Sequence, residues 1–148
     1  MKSMWQDETR REVSDRIGQL ARDRKGEWGR MSSQQMVCHL IGSVQMAIGE
    51  KAIANRWTPF RIPGVKEFVL YIAPFPKNVP TATELVVTST PNPWDRDVAE
   101  LRQTIDRFVG RGREARWPEH PAFGTLSGSQ WGVLVYRHVD HHLRQFGV

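Results

Sequence analysis

The sequence predicts an all-α protein, a bundle of four helices in a single domain that spans residues 1–148. Three observations favour this fold class. Four segments repeat apolar residues at the three- and four-residue spacing of an amphipathic helix. Serine or asparagine, both good helix caps, stands at the start of three of these segments. A long proline-rich stretch separates the second segment from the third, which suits a bundle with an overhand connection.

The first helix is predicted over residues 3–24. Its remaining faces are charged, and Gly26 is expected to end it, since glycine commonly follows the last turn of a helix. The stripe expected to be buried is formed by Val13, Ile17 and Leu20, extended toward the N-terminus by Gln6, Thr9 and Arg10.

The second helix is predicted to begin at Ser32 or Ser33 and to run to about Gly49. Either serine is a favourable N-cap. On a helical wheel His39 falls at the edge of the apolar stripe, and Cys38 falls on the opposite face. The stripe itself is formed by Met36, Leu40, Ser43 and Ala47.

The third and fourth helices carry clear apolar stripes. The third is predicted to begin near Asn92, with Pro93 in its first turn, and to end at Gly110 and Gly112. Its stripe is formed by Trp94, Val98, Leu101, Ile105 and Phe108. The fourth is predicted to run from Ser127 to about Phe146, with a stripe formed by Trp131, Leu134, Val135, His138, His142 and Gln145. The tryptophans are interpreted as core or cavity-wall residues.

The connection between the second and third helices covers residues 51–91 and carries six of the nine prolines, namely Pro59, Pro63, Pro74, Pro76, Pro80 and Pro91. Residues 65–72 are predicted to form a short additional helix that packs on the bundle. A β-strand is the alternative there, and a second strand is possible at residues 84–88, where Leu85, Val86 and Val87 favour extended structure.

Composition excludes several classes of protein. The hydrophobic fraction of 39% and the charged fraction of 25% are typical of a globular domain. No apolar run is long enough for a membrane span, and the charged N-terminus does not resemble a signal peptide, so a cytoplasmic location is expected. The single cysteine excludes an internal disulfide framework. The net charge of +5 invites a nucleic-acid hypothesis, but the basic residues form no run with interleaved aromatics, so that hypothesis is disfavoured.

Three histidines are the strongest functional signal. His138 and His142 are four residues apart on the fourth helix, so both imidazoles lie on one face, one turn apart. Both fall in the stripe that should be buried, where two protonated rings would repel each other. A shared divalent metal ion would resolve this conflict, and His39 is the natural third ligand if the second and fourth helices are neighbours. The alternative is three unrelated histidines of the core, each satisfied separately.

Three imidazole ligands would leave open coordination positions, which is the pattern of a reactive metal rather than a structural one. Such an ion can lower the pKa of a bound water, or bind a thiolate or carbonyl substrate. Imidazole suits Zn²⁺, Ni²⁺, Fe²⁺ or Cu²⁺, and the sequence does not choose among them.

Several other polar residues are weaker candidates. Ser43 and Gln145 lie one turn beyond His39 and His142; each either supports the site or lines its pocket, or is an ordinary packing residue. Among the remaining candidates, Asp140 and Cys38 point away from the buried stripes, His141 is expected at the surface or at the rim of the cavity, and His120 is a less favoured metal ligand in a loop. No inward-facing carboxylate appears on the four stripes, so no catalytic residue is predicted.

Three motifs resemble the DinB-like superfamily. Residues 28–40 (WGRMSSQQMVCHL) resemble the entry to its second helix, and residues 138–145 (HVDHHLRQ) resemble its closing motif. Residues 120–126 (HPAFGTL), followed by Trp131, resemble an uncharacterised branch of the superfamily. The resemblance covers most of the chain. The proline-rich connection and the terminal residues 146–148 depart from the usual pattern.

The resemblance implies a four-helix bundle, often dimeric, with a divalent metal ion held by three histidines. Transferred by motif, these are His39, His138 and His142. Members include thiol-dependent S-transferases and metal-dependent hydrolases of low-molecular-weight-thiol metabolism. We therefore expect a metal-dependent enzyme that activates a thiol or water for transfer or hydrolysis of a small molecule. The alternative is a non-catalytic metal-binding or stress-related bundle that acts through its basic surface or a dimer interface.

Overall fold

The computed structural model describes residues 1–77, 83–86 and 92–148, and their regular structure is helical. Five α-helices are present in these ranges: α1 (Asp7–Gly18), α2 (Ser33–Ala47), α3 (Val65–Tyr71), α4 (Trp94–Gly110) and α5 (Gly128–Gln145). Short 3-10 helices cover Pro59–Arg61 and Thr83–Leu85. The described residues contain no β-strand, only an isolated antiparallel bridge between His120 and Gly124. The all-α prediction is confirmed.

Helix α5 is the centre of the packing. It contacts α1, α2 and α3, while α2 packs along α4. The core between them contains fully buried aromatic and aliphatic side chains, among them Met36, Leu40, Leu101, Phe108, Trp131 and Leu143. No helix in the described ranges combines the length and the apolar character that a membrane span requires.

The same capping arrangement begins both histidine-bearing helices. The hydroxyl of Ser32 accepts a hydrogen bond from the amide of Gln35, whose side chain accepts one from the Ser32 amide. Ser127 and Gln130 repeat this reciprocal pair at the start of α5. Each cap contributes about 1 kcal/mol and fixes where its helix begins. The predicted start of the second helix is confirmed, and α5 lies within the predicted 127–146.

The first helix is shorter than predicted, because α1 ends at Gly18 instead of continuing to residue 24. Residues 21–25 contain no large apolar side chain that could pack against a neighbouring helix. Before α1 the chain crosses α5: the Met4 amide donates to the Gly132 carbonyl, and Trp5 Nε1 donates to the Gly128 carbonyl. Tertiary packing therefore decides the start of α1, and the lack of apolar side chains accounts for its early end. Its predicted apolar stripe of Val13, Ile17 and Leu20 is buried.

The tryptophans divide into two groups. Trp131 is buried, and Trp5 and Trp117 pack against Phe108 in the core. Trp57, by contrast, is 78% exposed, so its prediction as a core or cavity-wall residue is wrong. It lies in the connection before α3, where no stripe periodicity positions a side chain. In α4, Leu101, Ile105 and Phe108 are buried as predicted, whereas Trp94 and Val98 are half-buried at the edge of the core.

Residues 65–71 form α3, so the helix prediction for this part of the connection is confirmed and the strand alternative is wrong. Of the second possible strand, Glu84 and Leu85 lie in a 3-10 helix, and residues 87 and 88 lie outside the described residues. Arg137 of α5 contacts the end of α3 and the residues after it, since its guanidinium donates hydrogen bonds to the carbonyls of Val69, Leu70 and Ala73. This contact places residues 72–77 beside the histidine face of α5.

Candidate metal centre

Three imidazoles meet where α2 packs on α5. His39 Nε2 lies 3.1 Å from His138 Nε2, and His142 Nε2 lies 3.1 Å from the same atom. One ligand nitrogen from each of the three residues lies within 4.8 Å of the other two. His39 and His142 are buried, and His138 is partly exposed. The capping of α2 and α5 described above fixes the level of each histidine along its helix.

The orientation of His142 follows from its hydrogen bonds. Gln145 Nε2 donates to the carbonyl oxygen of Trp28 over 2.7 Å, which assigns the amide of Gln145. Its oxygen therefore faces His142 Nδ1 at 2.8 Å, and that nitrogen must donate. The proton of neutral His142 lies on Nδ1, so Nε2 presents a lone pair to the centre of the cluster.

His39 has a similar but weaker arrangement. Its Nδ1 lies 3.5 Å from the Leu85 carbonyl, an oxygen that can only accept. This long contact favours a proton on Nδ1 and a lone pair on Nε2. One turn later, the Ser43 hydroxyl donates to the His39 carbonyl over 2.8 Å. Ser43 lines the same cavity, and its hydroxyl is hydrogen-bonded to the backbone of α2 rather than to an imidazole ring.

His138 completes the cluster, and its protonation state determines the charge of the three closely spaced rings. With lone pairs on the Nε2 atoms of His39 and His142, neutrality is kept if His138 Nε2 carries the single proton between them. Adding further protons is unfavourable. Burial lowers the pKa of all three imidazoles, to about 3 for His142, and the neighbouring rings lower the pKa of His138 and His142 further. The three imidazole rings of the cluster are therefore neutral at physiological pH.

The donor set and its spacing fit a divalent ion. Zinc binds imidazole nitrogen at about 2.0–2.1 Å, so two such ligands are separated by about 2.9 Å at a right angle and by about 3.3 Å at the tetrahedral angle. The two separations from His138 Nε2, each 3.1 Å, lie between these limits, and the three ligand atoms all lie within 4.8 Å of one another. Binding there requires that the proton of His138 move from Nε2 to Nδ1. Three such histidines could therefore hold a metal ion.

The cluster lies in the wall of a cavity of about 1030 Å³. Its walls are mainly apolar and include five aromatic side chains from different parts of the chain, namely Trp28, Phe60, Phe75, Phe123 and Trp131. Phe75 stacks on the His138 ring, with centroids 6.1 Å apart. Among the described residues that line this cavity, none is acidic. A large apolar cavity with a few convergent polar groups is the usual form of a small-molecule site.

The weaker candidates have different positions. His141 lines the cavity and packs edge-on against Trp28, so it lies at the rim. Asp140 pairs instead with Arg16 of α1 and with Arg144. Cys38 contacts Asp97 of α4, and burial, reinforced by that carboxylate, raises the pKa of its thiol to about 11. Its thiol therefore stays protonated at neutral pH and is a poor nucleophile.

Residues 6–147 match a family described only as protein of unknown function, DUF1569. The chain belongs to this family. No curated protein and no solved structure matches the chain at a significant level.

Sequence reasoning missed two contributors to the centre of this DUF1569 chain. The carbonyl of Trp28 fixes Gln145, and Phe75 packs on His138. Both lie in segments outside the four predicted helices, where no periodicity indicates which way a residue points. The only signal for Phe75 was its residue type, and the Trp28 contribution, a backbone carbonyl, had no signal in the sequence.

Proposed function

We propose that this DUF1569 chain is a metal-dependent enzyme of the DinB-like superfamily. His39, His138 and His142 would hold a divalent ion, and the reaction would activate a thiol or water for transfer or hydrolysis. The observation that carries this proposal is the convergence of three imidazole Nε2 atoms at the wall of a large apolar cavity. Without a metal ion, the single Nε2–H group of His138 would serve two acceptor nitrogens, so one lone pair would lack a donor.

The fold supports the same assignment. The four longer helices, α1, α2, α4 and α5, pack in neighbouring pairs around one core, and α3 lies in the connection. We infer the four-helix bundle of the superfamily from this arrangement, with residues 51–91 as its long link. The homodimer that the resemblance implies stays a prediction.

The chemistry of the cavity favours a thiol over water. When bound, a divalent ion would supply Lewis acidity and lower the pKa of a water or thiol beside it. Hydrolysis also needs a group that accepts and returns protons, a role that histidines and carboxylates fill. The described lining residues include no carboxylate, His39 and His142 have their Nδ1 atoms in hydrogen bonds to oxygen, and His141 lies at the rim of the cavity. A thiol that reacts as its thiolate needs no base in the transfer step.

The decisive experiment is elemental mass spectrometry of tag-free protein, repeated for His142→Ala and His39→Ala. We expect about one divalent ion per wild-type chain and its loss in both variants. His141→Ala is the matched control, because this neighbouring histidine of α5 lies outside the ligand cluster. A folded wild-type protein that takes up no Zn²⁺, Ni²⁺ or Fe²⁺ would eliminate the enzyme hypothesis.

One observation favours the alternative of a binding protein. Three large apolar side chains of the connection, Trp57, Phe68 and Ile72, are more than half exposed. Large apolar side chains left exposed on a surface are a feature of protein interfaces when they lie together. Under this alternative, Phe68→Ser and Ile72→Ser would abolish self-association or partner binding in sedimentation experiments, and His142→Ala would leave it unchanged.

A further inference from the structure

His120 is held in a rigid turn outside the three-histidine cluster. Its amide and carbonyl exchange hydrogen bonds of 2.9 Å with Gly124, which adopts a φ of +68°. The connection also clamps this turn, since Thr58 donates to the Ala122 carbonyl and Arg61 to the Pro121 carbonyl. The His120 ring therefore has little freedom to rotate out of its position.

The turn also determines which ring nitrogen of His120 carries the proton. The amides of Ala122 and Phe123 both donate to His120 Nδ1, at 3.0 and 3.2 Å. A nitrogen that accepts two N–H groups cannot carry a hydrogen of its own, so the proton of the neutral ring lies on Nε2. Burial, with a contribution from the charge of Arg61, lowers the pKa of His120 to about 4, so the ring stays neutral at physiological pH.

The Nε2–H group of His120 has no hydrogen-bond partner among the described residues. It is nevertheless not one of the fully buried polar atoms that lack a partner in this part of the chain. It is therefore accessible, and His120 lines the large cavity. An accessible N–H group on a fixed ring in an apolar cavity is an unused hydrogen-bond donor. Such a group discriminates strongly between ligands that carry a matching acceptor and those that lack it.

The position of His120 along the cavity follows from α5. Its ring packs against Trp131, with centroids 5.4 Å apart. Trp131 precedes His138 by seven residues, which corresponds to about 10 Å along a helix. The apolar side chains of Leu134 and Val135 line the cavity between these levels. The donor and the three-histidine cluster therefore line the same apolar surface at different levels of α5, and His120 is near enough to contribute, after burial and the nearer histidines, to the lowered pKa of His138.

We propose that His120 Nε2–H is a ligand-binding group, which donates a hydrogen bond to a carbonyl or carboxylate oxygen at the end of the substrate remote from the metal centre. The ligand class is an elongated molecule with a thiol or other metal-binding group at one end, an apolar body, and an acceptor oxygen at the other end. This inference rests on the proposed function for the metal-binding end, whereas the contact with His120 does not depend on the metal.

The test uses the full chain loaded with Co²⁺ and two thiols that differ only at the remote end, mercaptohexanoate and pentanethiol. Cobalt–thiolate absorption reports the binding of each. His120→Phe keeps an aromatic ring without a donor, and His120→Gln keeps an N–H donor. The preference for mercaptohexanoate over pentanethiol should fall about tenfold in His120→Phe and be largely retained in His120→Gln. Pentanethiol should bind all three proteins equally.

An unchanged preference in folded His120→Phe would overturn the assignment of His120, while cobalt–thiolate absorption in that variant would leave the metal centre intact. If no Co²⁺ binds at all, the proposed function fails, and His120 is then tested separately. Hexanoate is titrated into metal-free protein labelled with ¹⁵N at histidine. A shift of the Nε2–H resonance of His120 supports the contact, and an unperturbed resonance at millimolar hexanoate refutes it.

Discussion

Replacing Gln145 with methionine tests how the protein orients its metal ligands. Gln145 is 3% exposed and joins His142 Nδ1, at 2.8 Å, to the Trp28 carbonyl, at 2.7 Å. Methionine matches its length and removes both hydrogen bonds. Loss of a group that orients a ligating histidine lowers metal affinity about 10- to 100-fold. This corresponds to about 1.4–2.7 kcal/mol. The buried polar groups left without partners should lower the free energy of unfolding of metal-free protein by about 1–3 kcal/mol.

The assay is competition for Zn²⁺ against a chromophoric chelator, together with denaturant unfolding of the metal-free protein. Gln145→Glu is the matched control, because a carboxylate still accepts a hydrogen bond from His142 Nδ1–H but cannot donate one to the Trp28 carbonyl. We expect this control to lose stability and keep wild-type metal affinity. Wild-type affinity in a folded Gln145→Met variant would refute the role of the hydrogen bond in orienting His142.

Three further predictions concern stability. The free energy of unfolding of metal-free protein should fall as the pH drops below about 6.5, by up to about 1.4 kcal/mol per pH unit for each histidine. The reason is that burial lowers the pKa values of His39, His138 and His142 in the folded state, so the unfolded chain binds protons first. Urea titrations from neutral pH to about pH 4 measure this, and a rise in stability on acidification would contradict it. Gly132→Ala should cost about 1–3 kcal/mol in thermal unfolding, since a Cβ there would lie 2.2 Å from Trp5 Nε1, whereas Gly110→Ala, with no atom within 4 Å, should be tolerated. Arg137→Met should accelerate hydrogen exchange in α3, because the carbonyls of Val69, Leu70 and Ala73 lose their donor, and unchanged exchange would show that these bonds do not stabilise α3.

The elements that the sequence predicted are those with local signals. The serine–glutamine pairs specify the start of α2 and α5, and the spacing of apolar residues specifies which faces are buried. The placement of His138 and His142 on one face needs only the helical repeat. The predicted length of α1 was wrong for two reasons. Its start depends on what Met4 and Trp5 contact across α5, about which the helical period contains no information. Its end comes early because residues 21–25 offer no large apolar side chain for packing.

The sequence by itself determined the helices, their buried faces and the presence of three histidines close to those faces. Only the tertiary structure decided that α2 and α5 pack in the register that brings the three Nε2 atoms together, that the Trp28 carbonyl assigns the proton of His142, and that His120 faces the same cavity. The physical reason is range: backbone geometry repeats every few residues, whereas the register between two helices depends on the fit of side chains distant in the chain.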